Sequence, residues 1–555
     1  MKNTHLKPKL FSVMKTYTKG QLVKDVIAGI IVAIIALPLS IALALASGVE
    51  PACGVYTAIA AGFVVSFLGG SRVQIAGPTA AFATIVAGVV ATQGMSGLFL
   101  ATIIAGVILI LMGIFRFGSL IKFIPYTITT GFTAGIAVTI LVGQIKDFLG
   151  LRYAEGVKPI ETIEKIKANI DAAGTFSWQA LLIGIICLAI LIIYPKIEKR
   201  IPPSLIAVIV SAALVKLIPA LDEGVYTIGE LYTIPSGLPK VDFGGIDFSV
   251  SGISAVLPDA LTIAILAAIE SLLSCVVADS MVNSKHNSNM ELVAQGCGNI
   301  ASVLFGGIPA TGAIARTAAN AKNGGRTPIA GMVHSVVLLL VLLVLMPYAE
   351  LIPMPAIAAI LFIVAYNMSE WRKFLKTIKS APKSDSIVMV ITFALTVIFD
   401  LVIAIEVGMV LAALLFMKRM SEEANVTGWK YVDDAESDSY DLDLCAVPEG
   451  VRVYEISGPM FFGVADKILG ISLDDTVKCL VLRMRAVPSI DSTAMNSLEE
   501  LYRKCSDRGI RVVFSHVNSQ PLSAMKKSGL HGLVGEENFC THINSALERA
   551  AEITK

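Results

Sequence analysis

Apolar residues in this chain come in runs long enough to cross a bilayer, and the runs recur along three quarters of its length. Candidate spans cover 24–47, 54–70, 97–115, 125–146, 178–195, 201–218, 254–282, 291–307, 326–347, 353–368, 385–399 and 401–417. About 20 apolar residues in a helix bridge the hydrocarbon core. The composition agrees, with 55 % hydrophobic and 16 % charged residues, where a soluble chain carries about a quarter charged. The first run follows a basic stretch from Met1 to Lys24 and has no small-residue cleavage site behind it. It therefore reads as a retained helix and not a signal peptide.

Two further apolar segments, about 79–92 and 311–322, are too short to cross alone. Each follows a Gly/Pro-rich interruption, QIAGPTAAF at 74–82 and GGIPATGAIAR at 306–316. Counting them gives fourteen elements, seven before the polar loop near 219–252 and seven after it. The interrupted elements are the third and the tenth, so each is third in its group. Broken helices at matching places in two halves are the mark of an inverted-repeat transporter.

Basic residues in the loops give an independent reading of orientation. They cluster at the N-terminus (Lys15, Lys19, Lys24), after element four (Arg116, Lys122) and after six (Lys196, Lys199, Arg200). More follow element eight (Lys285), ten (Lys322, Arg326) and twelve (Arg372, Lys373, Lys376, Lys379, Lys383). The opposite loops are mixed or acidic, with Asp222, Glu223, Glu230, Asp242 and Asp247 in one of them. Every even-numbered connection is basic, as a chain with an even number of spans and both termini in the cytoplasm requires.

From about 420 the composition turns soluble. A polar, acidic linker at 420–440 precedes strand-like VRVYEISG (451–458), CLVLRMRA (479–486) and RVVFSHV (511–517). Helical patterns alternate with them at about 492–507, 519–527 and 541–551, which means a small α/β domain. The expected organisation is a cytoplasmic segment 1–23, a transmembrane anion-transport domain 24–419, the linker, and a cytoplasmic domain 441–555. The eight cysteines are scattered without a C-x-x-C pair, as reduced thiols would be. The six histidines are dispersed, and no Walker loop, dinucleotide loop or metal-ligand cluster occurs. Neither an enzyme, a cofactor, a metal nor a nucleic-acid partner is expected.

An anion inside a bilayer is costly unless fixed donors replace its water. A helix that begins within the membrane supplies unpaired N–H groups and the positive end of its dipole. The third element begins after Gly77-Pro78 and the tenth near Thr311-Gly312, so an anion is expected near Thr79, Ala80, Phe82, Gly312 and Ala313. Simple kinks in packed helices would explain one break; two in register favour a site. Arg316 lies one turn into the tenth element and leans back toward its start, where its planar fork suits sulfate or a carboxylate. Glu270, flanked by apolar residues in LTIAILAAIESLLSCVVADS, is expensive when charged. With Ser274 four residues on along the same face, it is expected to carry a coupling proton, the alternative being a static ion pair with Arg316. Asp279, nearer the helix end, reads as structural.

These residues carry a resemblance. QIAGPTAAF, IESLLSCVVADSM, NSKHNSNMELVAQGCGNIAS and GGIPATGAIARTAANAKNGGRTPIAGMVH resemble the SulP (sulfate permease) anion-transporter family. VPSIDSTAMNSLEEL at 487–501 resembles that family's C-terminal STAS domain. GFTAGIAVTILVGQIKDFLGL (131–151) and AYNMSEWRK (365–373) look most like the bacterial DauA-type branch, associated with proton-coupled C4-dicarboxylate uptake. The resemblance implies an α-helical membrane protein of fourteen transmembrane segments in a seven-plus-seven inverted repeat of the nucleobase-transporter type. It also implies core and gate groups moving as an elevator, a homodimer, and a small α/β STAS domain that regulates or binds a cytosolic protein.

Arg316 aligns with the arginine that binds anions in animal members, and Glu270 falls where sodium-coupled bicarbonate members carry Asp. Those members have Thr where this chain has Ile314, which argues against a sodium site. Leu39 stands where many eukaryotic sulfate transporters have Gln. Asp491-Ser492-Thr493 matches the loop that is phosphorylated on Ser in anti-anti-sigma relatives, while Asp or Ser also suits the N-cap of the 492–507 helix.

The expected function is secondary active, proton-coupled transport of a small anion. Sulfate is the family default, with a C4-dicarboxylate (fumarate, succinate, aspartate) or bicarbonate as alternative substrates. A passive anion conductor and a STAS-based membrane sensor are the competing classes.

Overall fold

The apolar runs fold as helices whose ends fall where local chemistry stops them. In the computed structural model, which describes residues 6–119, 125–157, 159–198, 201–232, 247–399, 401–428 and 447–555, α1 spans Lys19–Ala46. The Thr18 hydroxyl caps it by accepting from the Gln21 N–H at 3.3 Å. Helix α2 (Pro51–Leu68) opens on a proline, which loses no needed donor in a first turn. The long helix Ala83–Ile114 is interrupted at Gly94, with φ 71° and ψ −175°. Only glycine adopts that conformation cheaply, so the stretch is two helices, α3 (83–93) and α4 (95–114).

The first half is completed by α5 (Tyr126–Leu149), α6 (Trp178–Ile197) and α7 (Pro203–Leu217). The second half comprises α8 (Val250–Val282), α9 (Ser288–Leu304), α10 (Ile314–Lys322), α11 (Ile329–Leu345), α12 (Met354–Ser369), α13 (Lys383–Ile398) and α14 (Leu401–Glu423). Among the described residues seven helices are long and apolar enough to cross a membrane. One of the seven divides at Gly94 into α3 and α4, and α7, α9, α10, α11, α13 and α14 bring the segment count to fourteen.

Packing repeats under a shift of seven. The α3–α4 pair lies against α8 and α9, and the α10–α11 pair lies against α1 and α2. Likewise α5 packs on α12 and α13, while α12 packs on α5 and α6. Two halves with exchanged partners produce this pattern, and it sorts the helices into two groups. One holds α1–α4 with α8–α11; the other is built around α5, α6, α12 and α13. Polar, amphipathic helices below the length of a span join α5 to α6 (Thr162–Asp171) and α12 to α13 (Trp371–Ser380).

Where the tenth element was expected to start at 311, the chain is still extended. Ala76–Gly77 (β1) and Thr311–Gly312 (β2) pair antiparallel, Ala76 opposite Gly312 and Gly77 opposite Thr311. Helix α10 begins only at Ile314, behind Ala313 as its N-cap. A short 3-10 turn, Ala80–Phe82, likewise separates β1 from α3.

Contacts divide the chain into two compact units, Met1–Met409 and Val410–Lys555. The second is built on a five-stranded sheet of β3 (Asn425–Gly428), β4 (Val451–Ser457), β5 (Cys479–Ala486), β6 (Arg511–Ser515) and β7 (Phe539–Cys540), in that spatial order. Strands β4 to β7 run parallel and β3 pairs antiparallel with β4. Leu480 and Leu482 face one layer with Leu498 and Leu501 of α15 (Ser492–Asp507). Cys479 and Val481 face the other, with Ala546, Leu547 and Ala550 of the C-terminal helix Ile543–Thr554. Burial on both faces explains why β5 opens on an unbroken apolar run, Cys479–Leu482, before Arg483. The linker read at 420–440 begins as structure, since α14 continues to Glu423 and β3 follows it; its remainder, 429–440, lies outside the described residues.

Candidate functional site

The β1–β2 pair brings the starts of α3 and α10 together, so two electropositive helix ends share one place. Neither start is capped by a side chain, which leaves the first-turn N–H groups without acceptors from their own helix. The pair is cross-braced throughout. The Ile75 N–H donates to the Thr317 hydroxyl (3.0 Å), and the Ala313 N–H donates to the Ile75 carbonyl (2.8 Å). From α8, the Ser271 hydroxyl accepts from the Gly312 N–H at 3.0 Å and its carbonyl accepts from Gln74 Nε2 at 3.1 Å. Asn320 Nδ2 donates to the Val73 carbonyl at 2.9 Å.

Arg316 is 3 % exposed. Its Nη2 donates to Ser40 Oγ of α1 (3.2 Å) and to the Pro78 carbonyl (3.3 Å). Nη1 is buried and has no partner. The guanidinium of α10 therefore reaches back to the chain that leads into α3, with one nitrogen left to donate. Glu270 of α8 faces the same junction. Its Oε2 accepts from the hydroxyls of Thr79 and Thr311, each at 3.0 Å. The static Glu270–Arg316 ion pair weighed from sequence is not formed; the guanidinium and the carboxylate each have neutral partners.

The other expected residues take different places. Thr79 is at the junction through its hydroxyl, and Ala80 follows it in the 3-10 turn. Phe82 is fully buried at 1 % exposure, a packed wall behind the turn. The N–H groups of Gly312 and Ala313, two of the residues expected near the anion, are already hydrogen-bonded within the fold. The open donors sit one step further on, at Ile314 and Ala315 in the first turn of α10. Ser274 does not join Glu270, because its hydroxyl donates to Thr317 Oγ1 (3.3 Å) and so belongs to the bracing. Asp279 closes the α8–α9 loop, accepting from the Ser284 hydroxyl and from the His286 N–H, 2.8 Å each.

Sequence reading passed over Ser40, Ser271, Thr311 and His334. A lone histidine within an apolar span was the available signal for the last. His334 is fully buried with both ring nitrogens unpartnered. A Cβ on Gly62 would meet both the Ala76 carbonyl and His334 Nδ1, which places the ring beside β1.

Gly77 is held to glycine by the site itself. A Cβ there would lie 2.3 Å from Arg316 Nη1, and the flexible guanidinium would have to move. Gly77→Ala is therefore expected to raise the transport KM several-fold while leaving the detergent-solubilised protein's melting temperature within a few degrees of the parent. Uptake kinetics and a thermal melt check the pair of outcomes.

In the soluble unit, Asp491 caps α15 by accepting from the Ala494 N–H at 2.8 Å, and its other oxygen accepts from the Phe462 N–H at 3.1 Å. Ser492 is exposed in the first turn of that helix, a position where a helix end favours added negative charge.

Comparison with known proteins agrees with this architecture. The sulfate permease family profile matches residues 22–392, and the STAS domain profile matches 445–548. The Bacillus subtilis protein named "Putative sulfate transporter YvdB" is 40 % identical over 532 residues, covering 95 % of this chain and 98 % of its own. The bicarbonate transporter BicA of Picosynechococcus is 31 % identical over 549 residues, covering 95 % and 94 %. Among solved structures, murine Slc26a9, an anion transporter in the inward-facing state, superposes with a TM-score of 0.87 at 18 % identity, over 99 % of this chain and 94 % of that one. The transmembrane domain of a cyanobacterial BicA superposes with a TM-score of 0.62 at 29 % identity, over 72 % of this chain and 98 % of that one. The relatives are transporters and not enzymes, and the fourteen-segment helical fold with a C-terminal STAS domain is the one they share. This chain is a multi-pass membrane transporter of the sulfate permease family.

Proposed function

We propose that the chain is a proton-coupled secondary active transporter of small anions in the bacterial inner membrane, with both termini cytoplasmic. One observation carries the reading. Arg316 keeps an unpartnered, buried Nη1 where two uncapped helix starts meet, and the Glu270 carboxylate accepts from Thr79 and Thr311 at the same junction. A buried cationic donor without an acceptor is costly, and an arriving oxyanion supplies the acceptor. Thr79, Ala80 and the first turn of α10 line the anion's place. Gly312 and Ala313 keep the backbone close, Phe82 closes the wall, and Glu270 carries the proton.

Sulfate is the leading substrate, in keeping with the family and with the name of the Bacillus relative. Bicarbonate is a second reading favoured by the likeness to BicA, and the DauA-type resemblance adds the C4-dicarboxylates. The STAS unit serves as a regulatory or protein-binding module with Asp491 and the exposed Ser492 at its candidate switch loop, and the working form is a homodimer.

The test is uptake of labelled sulfate, bicarbonate, fumarate and succinate into proteoliposomes, with and without an inward proton gradient. Sulfate is expected to accumulate above equilibrium only when the outside is acidic. Uptake that merely equilibrates under the same gradient would make the protein a passive conductor. Absence of uptake of every anion would leave the sensor reading.

A further inference from the structure

The helix Trp371–Ser380 is strongly amphipathic, and every charged residue on its polar face is cationic. Trp371, Phe374, Leu375 and Ile378 recur at helical spacing on one side, while Arg372, Lys373, Lys376 and Lys379 occupy the other. The apolar side is partly docked, since the Phe374 ring lies 5.4 Å from that of Phe393 on α13. Trp371 and Leu375 remain 44 % and 46 % exposed, where a membrane protein meets lipid. Lys373 pairs with Glu370 at 2.6 Å and Arg372 stacks on Trp371. Lys376 and Lys379 are exposed and have no acidic partner among the described residues. Over 370–383 five cations stand against one carboxylate, Glu370.

The inverted repeat supplies a control. The helix Thr162–Asp171 occupies the same place in the first half, between α5 and α6, and so belongs to the opposite face of the membrane. Over 161–171 it has Lys165 and Lys167 against Glu161, Glu164 and Asp171. Sharing the amphipathic design, the two helices differ in charge, so the cationic face is not a requirement of the fold. An amphipathic helix with aromatic and aliphatic residues on one side, and cations as the only charges on the other, fits an interface of anionic lipid.

We propose that Trp371–Ser380 is a docking site for anionic phospholipid headgroups, with Lys376 and Lys379 as the principal contacts. Bound lipid anchors the α5–α12–α13 group in the plane of its leaflet. The site rests on the orientation proposed above only for which leaflet supplies the lipid.

The chain has three tryptophans, so Trp178→Phe and Trp429→Phe in the full-length protein leave Trp371 as the single reporter. In reconstituted vesicles, brominated phosphatidylglycerol is expected to quench Trp371 with about tenfold enrichment over brominated phosphatidylcholine at equal mole fraction. The preference should fall in 0.5 M salt, disappear in K376Q/K379Q, and persist in K165Q/K167Q. Equal quenching by the two lipids overturns the site, and so does a preference that survives K376Q/K379Q. Both lipids occupy both leaflets in this assay, so it reads headgroup preference whichever way the protein faces. An epitope inserted after Ser380, probed in intact and permeabilised spheroplasts, reports the orientation separately.

Discussion

Arg316→Ala is expected to abolish saturable anion uptake while leaving the protein inserted and folded. Each hydrogen bond from a charged donor contributes about 1.5–3 kcal/mol, and 1.4 kcal/mol is a factor of ten in affinity. Losing the bond from the free Nη1 to an oxyanion would thus weaken binding by about 10–100-fold, and loss of the buried positive charge weakens it further. The structural penalty is smaller. Ser40 keeps its own hydrogen bond to the Ala36 carbonyl at 2.9 Å, and β1–β2 retains the Thr317, Ser271 and Asn320 braces, none of which involves Arg316. Arg316→Lys preserves charge without the planar fork, and should retain uptake with a raised KM. Radiolabelled uptake gives the kinetics, and size-exclusion profiles in detergent report folding. An unaltered KM in the alanine variant would remove Arg316 from the site.

The architecture was largely legible because membrane helices advertise themselves in composition, and because the two Gly/Pro interruptions fall at matching ordinal positions. Even the Gly94 break between α3 and α4 was visible as a gap between apolar runs. The β1–β2 pair was not. Two residues per strand leave no alternation to detect, and their partners are far apart in the chain. Treating Thr311–Gly312 as a helix start followed from that blind spot, and it put the open backbone donors one step too early. Ser274 shows a different failure. The four-residue spacing does place it on the face of Glu270, but a turn along α8 that face meets Thr317 and not the junction. The amphipathic helices Thr162–Asp171 and Trp371–Ser380 escaped because a search for spans ignores polar segments.

Glu270→Gln is expected to separate proton-driven accumulation from anion movement. Glutamine keeps the side-chain volume and an oxygen able to accept from the Thr79 and Thr311 hydroxyls, so the bridge between the two helix starts survives. What disappears is the exchangeable proton. Like charges about 5 Å apart, at an effective dielectric near 20, repel by about 3 kcal/mol, roughly two decades in binding. An anion beside Arg316 therefore binds better when Glu270 is protonated, and by linkage a bound anion equally favours the proton. That reciprocity is enough to couple the two fluxes without any direct contact between them. In the variant, an acid-outside gradient should no longer concentrate sulfate inside vesicles, whereas exchange of labelled for unlabelled sulfate across the membrane should continue at a comparable rate. Its KM should also lose its dependence on external pH. If the glutamine variant still accumulated anion against its gradient in response to protons, the coupling group would have to be sought elsewhere in the same group of helices. His334 on α11, buried beside β1 with both ring nitrogens unpartnered, is then the next residue to replace.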